Sequence, residues 1–440
     1  MSLEQTKAEG SASILFVTLG CAKNEVDTDR MRSLLLRAGY EEASEADEAD
    51  AVIVNTCSFL ASATSESIER TLELAEANTE GVCNRPIVMC GCVPSRYGDD
   101  LPAELPEVAA FVRADAEDGI VSVMDGVLGR ESAVPVAAGS SAGPLAEPLR
   151  TVEGASAYVK ISDGCDRFCS FCAIPYIRGR YASRPYAEIE PEVLALAKSG
   201  VREFVLIGQD TGIWGRDLGE GDTLASLLTR LAKAVRPFGA WLRVLYLQPE
   251  GMTDELVAAI RDTPEVLPYI DIPIQHCNAR VLKSMNRSGS AEEFSELFAR
   301  LRSEIPGMVL RTTGLVGFPG ETEEEYEELL DFIQKEEFDY TSVFSYSREE
   351  GTRGAEMDGQ IDEDVKLERA RGSSTSPRSL ASPPRPSTWA RSSTSSSTAS
   401  TPMARLPSSS ATPGSRPPTA TAPFTFPRAR RAWETSCACD

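Results

Sequence analysis

The sequence predicts an α/β protein with two successive parallel-sheet domains, and three of its features support this fold class. Short apolar runs alternate with amphipathic stretches of helical length over residues 14–130, which is the pattern of a doubly wound parallel sheet. The alternation resumes at residue 155 and supplies six further strand candidates, which indicates a partial (β/α)6 TIM-like barrel. After Arg371 the periodicity ends and a Ser- and Pro-rich composition takes over, which is typical of disorder.

The N-terminal domain is expected over residues 14–130. Its strand candidates are "ILFVTLG" (14–20), "DAVIVNT" (50–56) and "PIVMCG" (86–91). Helix-like stretches such as "DTDRMRSLLLRAG" and "SATSESIERTLELAEAN" lie between them. Residues 1–13 are polar and are expected to be disordered, and residues 131–154 are rich in Ala, Gly, Ser and Pro and are expected to form a linker.

The second domain is expected over residues 155–371, followed by a low-complexity tail over residues 372–440. The strand candidates of this domain are "AYVKIS" (157–162), "EFVLIG" (203–208), "WLRVLYL" (241–247), "YIDIP" (269–273), "VLRTTGLVGF" (309–318) and "YTSVFSY" (340–346). The intervals between them leave room for one helix each. In such a barrel the functional loops follow the carboxyl ends of the strands.

Composition restricts the class of protein. The chain has no apolar run long enough for a transmembrane helix and begins without an apolar signal core, so we expect a cytoplasmic protein without a membrane partner. The net charge is −23, and residues 372–440 contain eight Arg and two acids, which leaves −29 for residues 1–371. An acidic body repels nucleic acid, so direct DNA binding is not expected, and it attracts a basic partner; solubility alone is an equally good explanation.

Three cysteines form a C-x3-C-x2-C pattern directly after the first strand of the second domain: Cys165, Cys169 and Cys172. Structural zinc sites usually take four ligands, and no fourth thiol lies nearby in the sequence. A 4Fe–4S cluster held by three thiolates leaves one iron open to a small molecule. The loop resembles that of the radical S-adenosylmethionine (SAM) enzymes, which implies such a cluster and SAM as cofactors. A zinc site completed by His276 or Cys277 is the alternative.

Three more cysteines each follow a predicted strand of the first domain: Cys21, Cys57 and Cys92. The carboxyl ends of parallel strands lie at one edge of the sheet, so these thiols should converge there and could hold a second cluster. Three unrelated buried thiols are the alternative. No metal role is expected for Cys90, in the sheet core, for Cys83, in a loop, or for Cys277, a free thiol.

Two three-cysteine sets, one in an α/β domain and one in a barrel, resemble the methylthiotransferases over about residues 14–371. The resemblance implies replacement of a C–H bond by C–S–CH3, with one SAM giving the methyl group and a second SAM giving a radical. It implies two 4Fe–4S clusters. The barrel cysteines would hold the radical-generating cluster, and the cysteines of the first domain would hold the one that carries the sulfur.

The motifs resemble the RimO branch, which modifies the β-carbon of an aspartate on small-subunit ribosomal protein twelve. "TLGCAKNEVDTDRM" is similar to its "GCPKN" pattern, where the tRNA-modifying branch usually has "GCQMN". "IGQDTGIWG" and "YIDIPIQHCNARVLKSMNR" are similar to the same branch. The resemblance implies that the partner is this ribosomal protein or the ribosome. It implies reduced flavodoxin or ferredoxin as the electron donor. The alternatives are a tRNA adenosine methylthiotransferase and a non-catalytic metal-binding or adaptor protein.

Further site residues are proposed at the carboxyl ends of the barrel strands. Gln209 and Asp210 follow one strand and are candidates for positioning substrate or SAM. Gly317 and Gly320, in "LVGFPGE", stand where the family places the adenine of SAM, since glycine allows close approach of a ligand. The alternative for this segment is a strand-to-helix turn with Glu321 near the helix N-terminus.

Four other side chains are candidates for contacting SAM, holding the cysteine loop or moving a proton. Phe171 matches the aromatic residue that the family packs near SAM. Arg178 and Arg180, in "IRGRYASRP", either bind the SAM carboxylate or hold the cysteine loop to acidic residues. His276 could move a proton near neutral pH, although a hydrogen-bonded core histidine is the better default.

The sequence departs from the family after Arg371. Methylthiotransferases end in a small β-barrel, TRAM, that contacts the substrate, whereas residues 372–440 show no strand-like runs and end in "CAC", with Cys437 and Cys439. Our hypothesis is a frameshift shortly after Arg371, because one choice of codons for "WETSCAC" gives Gly-Asp-Phe-Val-Arg-Val when shifted by one base.

We therefore expect resequencing of the gene across the codons for Lys366 to Ser376 to show a missing or an extra base relative to the present sequence. The true frame should then encode TRAM-like strands. Codons that encode no such strands in either other frame would disprove the hypothesis.

Overall fold

The computed structural model describes residues 11–79, 85–130, 150, 152 and 154–373. Most of the expected N-terminal segment, most of the linker and nearly all of the tail lie outside these residues. So do Cys83, Cys437 and Cys439, and the predictions for them stay predictions.

The first domain is built around a five-stranded parallel sheet of strand order β2-β1-β3-β4-β5. Its strands are β1 (Ser13–Thr18), β2 (Glu41–Glu42), β3 (Ala51–Thr56), β4 (Ile87–Gly91) and β5 (Val108–Arg113). Its helices are α1 (Ala22–Arg37), α2 (Ala61–Thr79), α3 (Cys92–Tyr97), α4 (Leu101–Glu104) and α5 (Ile120–Leu128). This confirms the predicted doubly wound sheet and its three strand candidates.

The central strands of this sheet explain why the prediction succeeded. Every residue of β3 and β4 is buried, because helices cover both faces, and such strands read as continuous apolar runs. Met31 and Leu35 of α1 pack with Ile53 in the core. The sequence analysis missed β5, whose alternating "VAAFVR" lies at the edge of the sheet and is only partly buried.

The second domain contains a six-stranded parallel sheet in which neighbours follow in sequence order, β13-β12-β11-β10-β9-β6. Its strands are β6 (Ser156–Lys160), β9 (Glu203–Ile207), β10 (Trp241–Val244), β11 (Val266–Gln275), β12 (Val309–Val316) and β13 (Tyr340–Ser345). A short antiparallel pair, β7 (Ser162–Asp163) and β8 (Ala182–Ser183), flanks the cysteine loop. Because β6 and β13 are both edge strands, the sheet is an open partial barrel, as predicted.

Helices connect successive strands of the barrel. They are α6 (Ile174–Ile177), α7 (Tyr186–Ser199), α8 (Leu224–Val235), α9 (Asp254–Asp262), α10 (Ala279–Ser284), α11 (Ala291–Glu304), α12 (Glu323–Glu336), α13 (Arg353–Glu356) and α14 (Glu363–Ser373). The acidic stretch after β12 begins α12 with a capping box between Thr322 and Glu325, which supports the interpretation of this stretch as a helix. None of the described helices combines the length and apolar character needed to cross a bilayer.

The last described helix, α14, is an integral part of the barrel. Lys366 is buried although it is a lysine, and its Nζ donates a hydrogen bond to Glu363 and lies over the ring of Tyr346. Arg369 Nη1 donates to Glu321 Oε2, 2.6 Å away, in a buried ion pair. The barrel therefore extends at least to these residues.

A buried ion pair joins the two domains near the start of α2. Arg96 Nη1 lies 3.0 Å from Glu349 Oε2, and both side chains are at most 8% exposed. The other oxygen of Glu349 accepts a hydrogen bond from the backbone N–H of Ala61 at 2.8 Å, and Arg96 also donates to the carbonyl of Ser58. One barrel carboxylate thus fixes two helices of the first domain.

We expect Glu349→Gln to lower the free energy of unfolding by about 3–5 kcal/mol, because it leaves the Arg96 guanidinium buried without a counter-charge. The shift is measured from urea unfolding followed by circular dichroism. Glu350→Gln is the matched control, since Glu350 is exposed and contributes only its backbone carbonyl to Arg96. Equal stability of the two variants would contradict the assigned role of Glu349.

Candidate functional site

The barrel cysteine loop lies between β7 and α6, at the carboxyl end of β6. The backbone N–H of Cys165 donates to Gly179 O, and that of Cys172 donates to Cys169 O, so the loop folds back on itself. Gly164 has a φ of +72°, and a Cβ there would lie 2.1 Å from the carbonyl oxygen of Arg180. Only glycine fits this position, because the returning chain passes directly against it.

The barrel holds the other side of this loop. Asn286 Nδ2 donates to the carbonyls of Arg167 and Phe168, and Ser170 N donates to Met285 O. Phe168 has a φ of +47°, and such a left-handed conformation in a bulky residue persists only where its surroundings impose it. Phe171 is partly buried against an apolar cluster that includes Phe318 and Tyr346.

The second cysteine set lies at one edge of the N-terminal sheet. Cys57 directly follows β3, Cys92 directly follows β4, and Cys21 comes three residues after β1. A Cβ on Gly20 would lie 2.5 Å from Cys57 Cβ and 3.0 Å from its Sγ, so the backbone beside Cys21 touches Cys57. The structure thus brings these thiols together, as expected from parallel strands.

The two sets face each other across the domain boundary. Cys92 packs with Ala173 and Ile177, and Ala173 is the residue after Cys172. Helix α3, which starts at Cys92, lies against α6, which starts two residues after Cys172. The two candidate cluster sites are therefore neighbours.

The described cysteines are all free thiols. Cys90 is fully buried in the core of the first sheet, where the sequence analysis placed it. Cys277 is buried, and its Sγ lies 3.6 Å from the carbonyl oxygen of Glu328. In the described part of the chain, no three His, Cys, Asp or Glu side chains are arranged to hold a metal ion as they stand.

Burial keeps most of the candidate ligand thiols protonated. It raises the pKa of Cys92 to about 11 and that of Cys172 to about 12, and it also raises the pKa of Cys57 and of Cys165. The neighbouring cysteines add to the increase, which reflects how close the members of each set lie. Thiolates are the form that binds iron, so a cluster must displace these protons.

A buried network of charges connects the loop to α1. Arg178 Nη1 lies 2.7 Å from Asp27 Oδ2, and its Nη2 donates to Asn24 Oδ1 at 2.9 Å. Lys160 bonds to Asp27 as well and to Asp163 Oδ2 at 2.9 Å. Burial alone would raise the pKa of Asp163, but Lys160 and Arg178 hold it well below its ordinary value.

The two arginines proposed as SAM ligands both contact acids. Arg178 is almost fully buried in the network just described, and Arg180 pairs with Asp166 at 2.6 Å on the surface. Of the two roles predicted for them, the contacts show the second, in which they hold the loop to acidic residues. The Arg178 guanidinium is held by Asp27 and Asn24, and its contact with the SAM carboxylate stays a prediction.

The sequence predicts a contact of Gly317 and Gly320 with the adenine of SAM, and the structure shows which atoms surround these two glycines. Gly317 has a φ of +73°, and a Cβ there would lie 2.5 Å from Cγ of Lys366 on α14. Gly320 has a φ of +77°, and its N–H donates to Gly359 O. At Gly317 the chain itself makes the close approach, which agrees with the strand-to-helix turn, whereas a Cβ on Gly320 would meet no atom within 4 Å. The adenine contact of the two glycines stays a prediction.

His276 is fully buried directly after β11 and faces Glu321 of the turn after β12. Its Nδ1 accepts a hydrogen bond from the N–H of Asn278, and its Nε2 lies 3.3 Å from Glu321 Oε1. This arrangement agrees with the default of a core histidine.

Gln209 and Asp210 remain at the carboxyl end of β9, next to the cysteine loop. Asp210 Oδ2 accepts a hydrogen bond from Arg167 Nε at 2.5 Å, and burial raises the pKa of this carboxyl. Gln209 Nε2 donates to Asp163 Oδ1 at 2.8 Å. Within the described residues, Asp210 Oδ1 and Gln209 Oε1 are buried without a hydrogen-bond partner, which leaves one oxygen of each for a ligand.

Sequence reasoning missed Lys160, Asp163, Asp27 and Arg167. Asp27 lies in a helix that otherwise reads as an ordinary amphipathic segment. Its buried position on α1 follows only from the packing of this helix on the barrel, where Ala22 and Val26 contact an apolar group that includes Val205 and Leu245. No local signal in the sequence identifies such a partner.

Comparison with known proteins agrees with this geometry. A model of the family described as "Radical SAM superfamily" matches residues 159–333, and "Uncharacterized protein family UPF0004" matches residues 13–113. "Ribosomal protein uS12 methylthiotransferase RimO" of Symbiobacterium thermophilum is 43% identical over 357 residues, which cover 80% of this chain and 72% of that protein. The protein of the same name from Pelotomaculum thermopropionicum is 44% identical, over 80% of this chain and 79% of its own length.

The chain belongs to the RimO family of methylthiotransferases. The predicted family and enzyme class are thereby confirmed: the protein is a radical SAM enzyme of the sulfur-inserting type. Membership implies SAM and an iron–sulfur cluster as cofactors. The fold is similar to that of the radical SAM methyltransferase TsrM from Kitasatospora setae, with a TM-score of 0.57 and 16% identity over 76% of this chain and 75% of that one.

The raised pKa values predict how the cluster-free protein takes up iron and sulfide. We expect uptake to release protons and to strengthen by about tenfold per pH unit, between pH 7 and pH 9, for each buried thiol that must ionise. Anaerobic reconstitution at several pH values, followed by the visible absorbance of the cluster and by pH-stat titration, measures both effects. Cys90→Ala is the control, because this core thiol is also protonated but lies outside both sets. Uptake that does not vary with pH would contradict the prediction.

Proposed function

We propose that the protein methylthiolates the β-carbon of an aspartate on small-subunit ribosomal protein uS12, with two SAM molecules and two 4Fe–4S clusters. The observation that carries this proposal is the contact of Cys92 with Ala173, which places the two cysteine sets side by side. A radical made at one set and a sulfur atom held at the other must meet on one substrate carbon. Neighbouring sets meet that requirement.

In the proposed division of labour the barrel set, Cys165, Cys169 and Cys172, holds the cluster that supplies the electron for SAM cleavage. The set from the first domain, Cys21, Cys57 and Cys92, holds the cluster that supplies the sulfur. The thiol-only composition of both sets suits iron–sulfur ligation. Three thiols in each set leave one iron open, for SAM in the first case and for sulfur in the second.

The other proposed site residues act by position. Gln209 and Asp210 offer one free oxygen each among the described contacts, which suits a hydrogen bond to SAM or to the substrate. Phe171 lies in the loop beside Cys172 and suits a packing contact with SAM. Arg167 and Asp163 orient Asp210 and Gln209 and are positioning residues in this scheme.

Several properties support a ribosomal protein as the substrate. The two relatives compared above are named for uS12, at 43% and 44% identity. Residues 1–371 carry a net charge of −29, which complements a basic protein and repels the phosphates of tRNA.

We further propose the cytoplasm as the place of action, reduced flavodoxin or ferredoxin as the electron donor, and domain limits at residues 14–130 and 155–371.

The substrate is tested in a strain that lacks the gene. Mass spectrometry should show protein uS12 without its methylthio group and tRNA nucleosides unchanged. The reverse result would mean that the protein is a tRNA methylthiotransferase.

Purified protein should contain about eight irons and form 5′-deoxyadenosine from SAM. Zinc without SAM cleavage would indicate a non-catalytic metal-binding protein.

The division of labour gives a prediction for single cysteines. Cys169→Ala should abolish SAM cleavage, because the radical-generating cluster loses one of its three ligands. Cys57→Ala should retain SAM cleavage but stop thiolation. Both are measured on anaerobically reconstituted protein by quantifying 5′-deoxyadenosine and the modified peptide, with Cys277→Ala as a control thiol outside both sets. Equal loss of SAM cleavage in the two variants would contradict the scheme.

A further inference from the structure

Lys23 extends from the first domain into the mouth of the barrel. It lies in the first turn of α1, two residues after Cys21. Its Nζ lies 3.9 Å from the centre of the Tyr246 ring, and Tyr246 follows the carboxyl end of β10. The ammonium group therefore lies at the strand ends where barrel chemistry takes place, two residues from Cys21 in the sequence.

The cations around Lys23 are paired, whereas Lys23 is not. Lys160 and Arg178 share Asp27, and Arg167 binds Asp210. Among the described residues no carboxylate forms an ion pair with Lys23, whose contact is the aromatic face of Tyr246. An ammonium over a ring keeps its N–H groups free to bind an anion that arrives from outside.

The acids nearest to this mouth are held by groups other than Lys23, although Oδ1 of Asp271 accepts no hydrogen bond among the described residues. Asp163 accepts hydrogen bonds from Lys160 and Gln209. Asp271 Oδ2 accepts one from the N–H of Tyr246, and its Oδ1 lies 3.8 Å from Arg311 Nε. The positive charge of Lys23 is thus left for a ligand rather than for a structural partner.

The ring that receives Lys23 is held in an unusual conformation. Tyr246 has a φ of +62°, which is costly for a residue with a side chain. Its N–H is bound by Asp271 and its carbonyl by the N–H of Thr211, so the surrounding barrel enforces the strain. Strain of this kind persists at functional positions, which is an observation independent of the charge.

We propose that Lys23 binds the side-chain carboxylate of the target aspartate and thereby selects an acidic residue as the substrate. This inference rests on the proposed function and names the group that recognises its substrate. A carboxylate held by Nζ at this place would set the adjacent β-carbon beside the sulfur-bearing cluster. The carboxylate of SAM has the same chemistry, but Lys23 belongs to the domain and the sheet edge that carry Cys21, not to the cysteine loop of the barrel.

The test uses the full-length, reconstituted protein and a synthetic peptide with the target aspartate of protein uS12. A second peptide has asparagine at that place. Lys23→Met should raise the KM for the aspartate peptide about 10- to 100-fold, which is the usual loss for a hydrogen bond to a charged group. It should also reduce the preference for aspartate over asparagine. Lys23→Arg should keep most of this preference.

Two further measurements make the result specific. The dissociation constants of both peptides, measured by fluorescence anisotropy on the same preparations, report recognition even if a variant is slow in turnover. Lys198→Met is the matched control, because Lys198 is an exposed lysine on α7, away from the site. A change in overall stability would weaken both peptides equally, whereas loss of the carboxylate contact weakens the aspartate peptide alone.

Three outcomes would overturn the proposal. Unchanged KM and unchanged aspartate preference in Lys23→Met and in Lys23→Gln would remove Lys23 from substrate recognition. Loss of SAM cleavage in the absence of peptide would assign the ammonium to the SAM carboxylate instead. Wild-type protein that thiolates neither peptide but modifies tRNA would refute the proposed function itself, and this result is distinct from the other two.

Discussion

The buried contact of Arg178 with Asp27 and Asn24 determines the geometry of the whole site. Arg178 comes six residues after Cys172, and Asp27 comes six residues after Cys21. One guanidinium therefore fixes the distance between the segments that carry the two cysteine sets. Such a pair is costly to bury, and its retention is best explained by the precise placement that it provides.

The surroundings of this contact are balanced in charge. Lys160 and Arg178 stand against Asp27 and Asp163, which is two cations against two anions. Burial raises the pKa of the nearby Glu117 well above its ordinary value. Helix α1 can thus lie in the mouth of the barrel with Ala22 and Val26 packed on the barrel and Asp27 neutralised, so that Lys23 is the cation of its first two turns that is left without an ion pair among the described residues.

Much of this architecture could be predicted from the sequence because it depends on local patterns. Buried parallel strands read as apolar runs, and their carboxyl ends meet at one edge, so Cys57 and Cys92 could be placed together from their position after β3 and β4 alone. The partners of Arg178 could not, since Asp27 and Arg178 are 151 residues apart and no short-range pattern links them. The pairing of Glu349 with Arg96 was beyond prediction for the same reason.

The glycines of "LVGFPGE" show a second limit of sequence reasoning. A glycine at a strand end indicates that something comes close, but not what comes close. At Gly317 it is the side chain of Lys366 on α14. The distinction depends on a helix that begins more than forty residues later in the chain.

The position of α14 has a consequence for how much change this gene can tolerate. Lys366 packs against Gly317 and Arg369 neutralises the buried Glu321, so loss of the helix would uncover Gly317 and leave the Glu321 carboxylate without this counter-charge. A frameshift directly after Arg371 alters every later residue but leaves Lys366 and Arg369 unchanged, so these contacts remain. A frameshift fifteen codons earlier replaces both residues and removes the contacts. The pairing of Glu321 and the cover over Gly317 therefore depend on whether the reading frame is kept through α14.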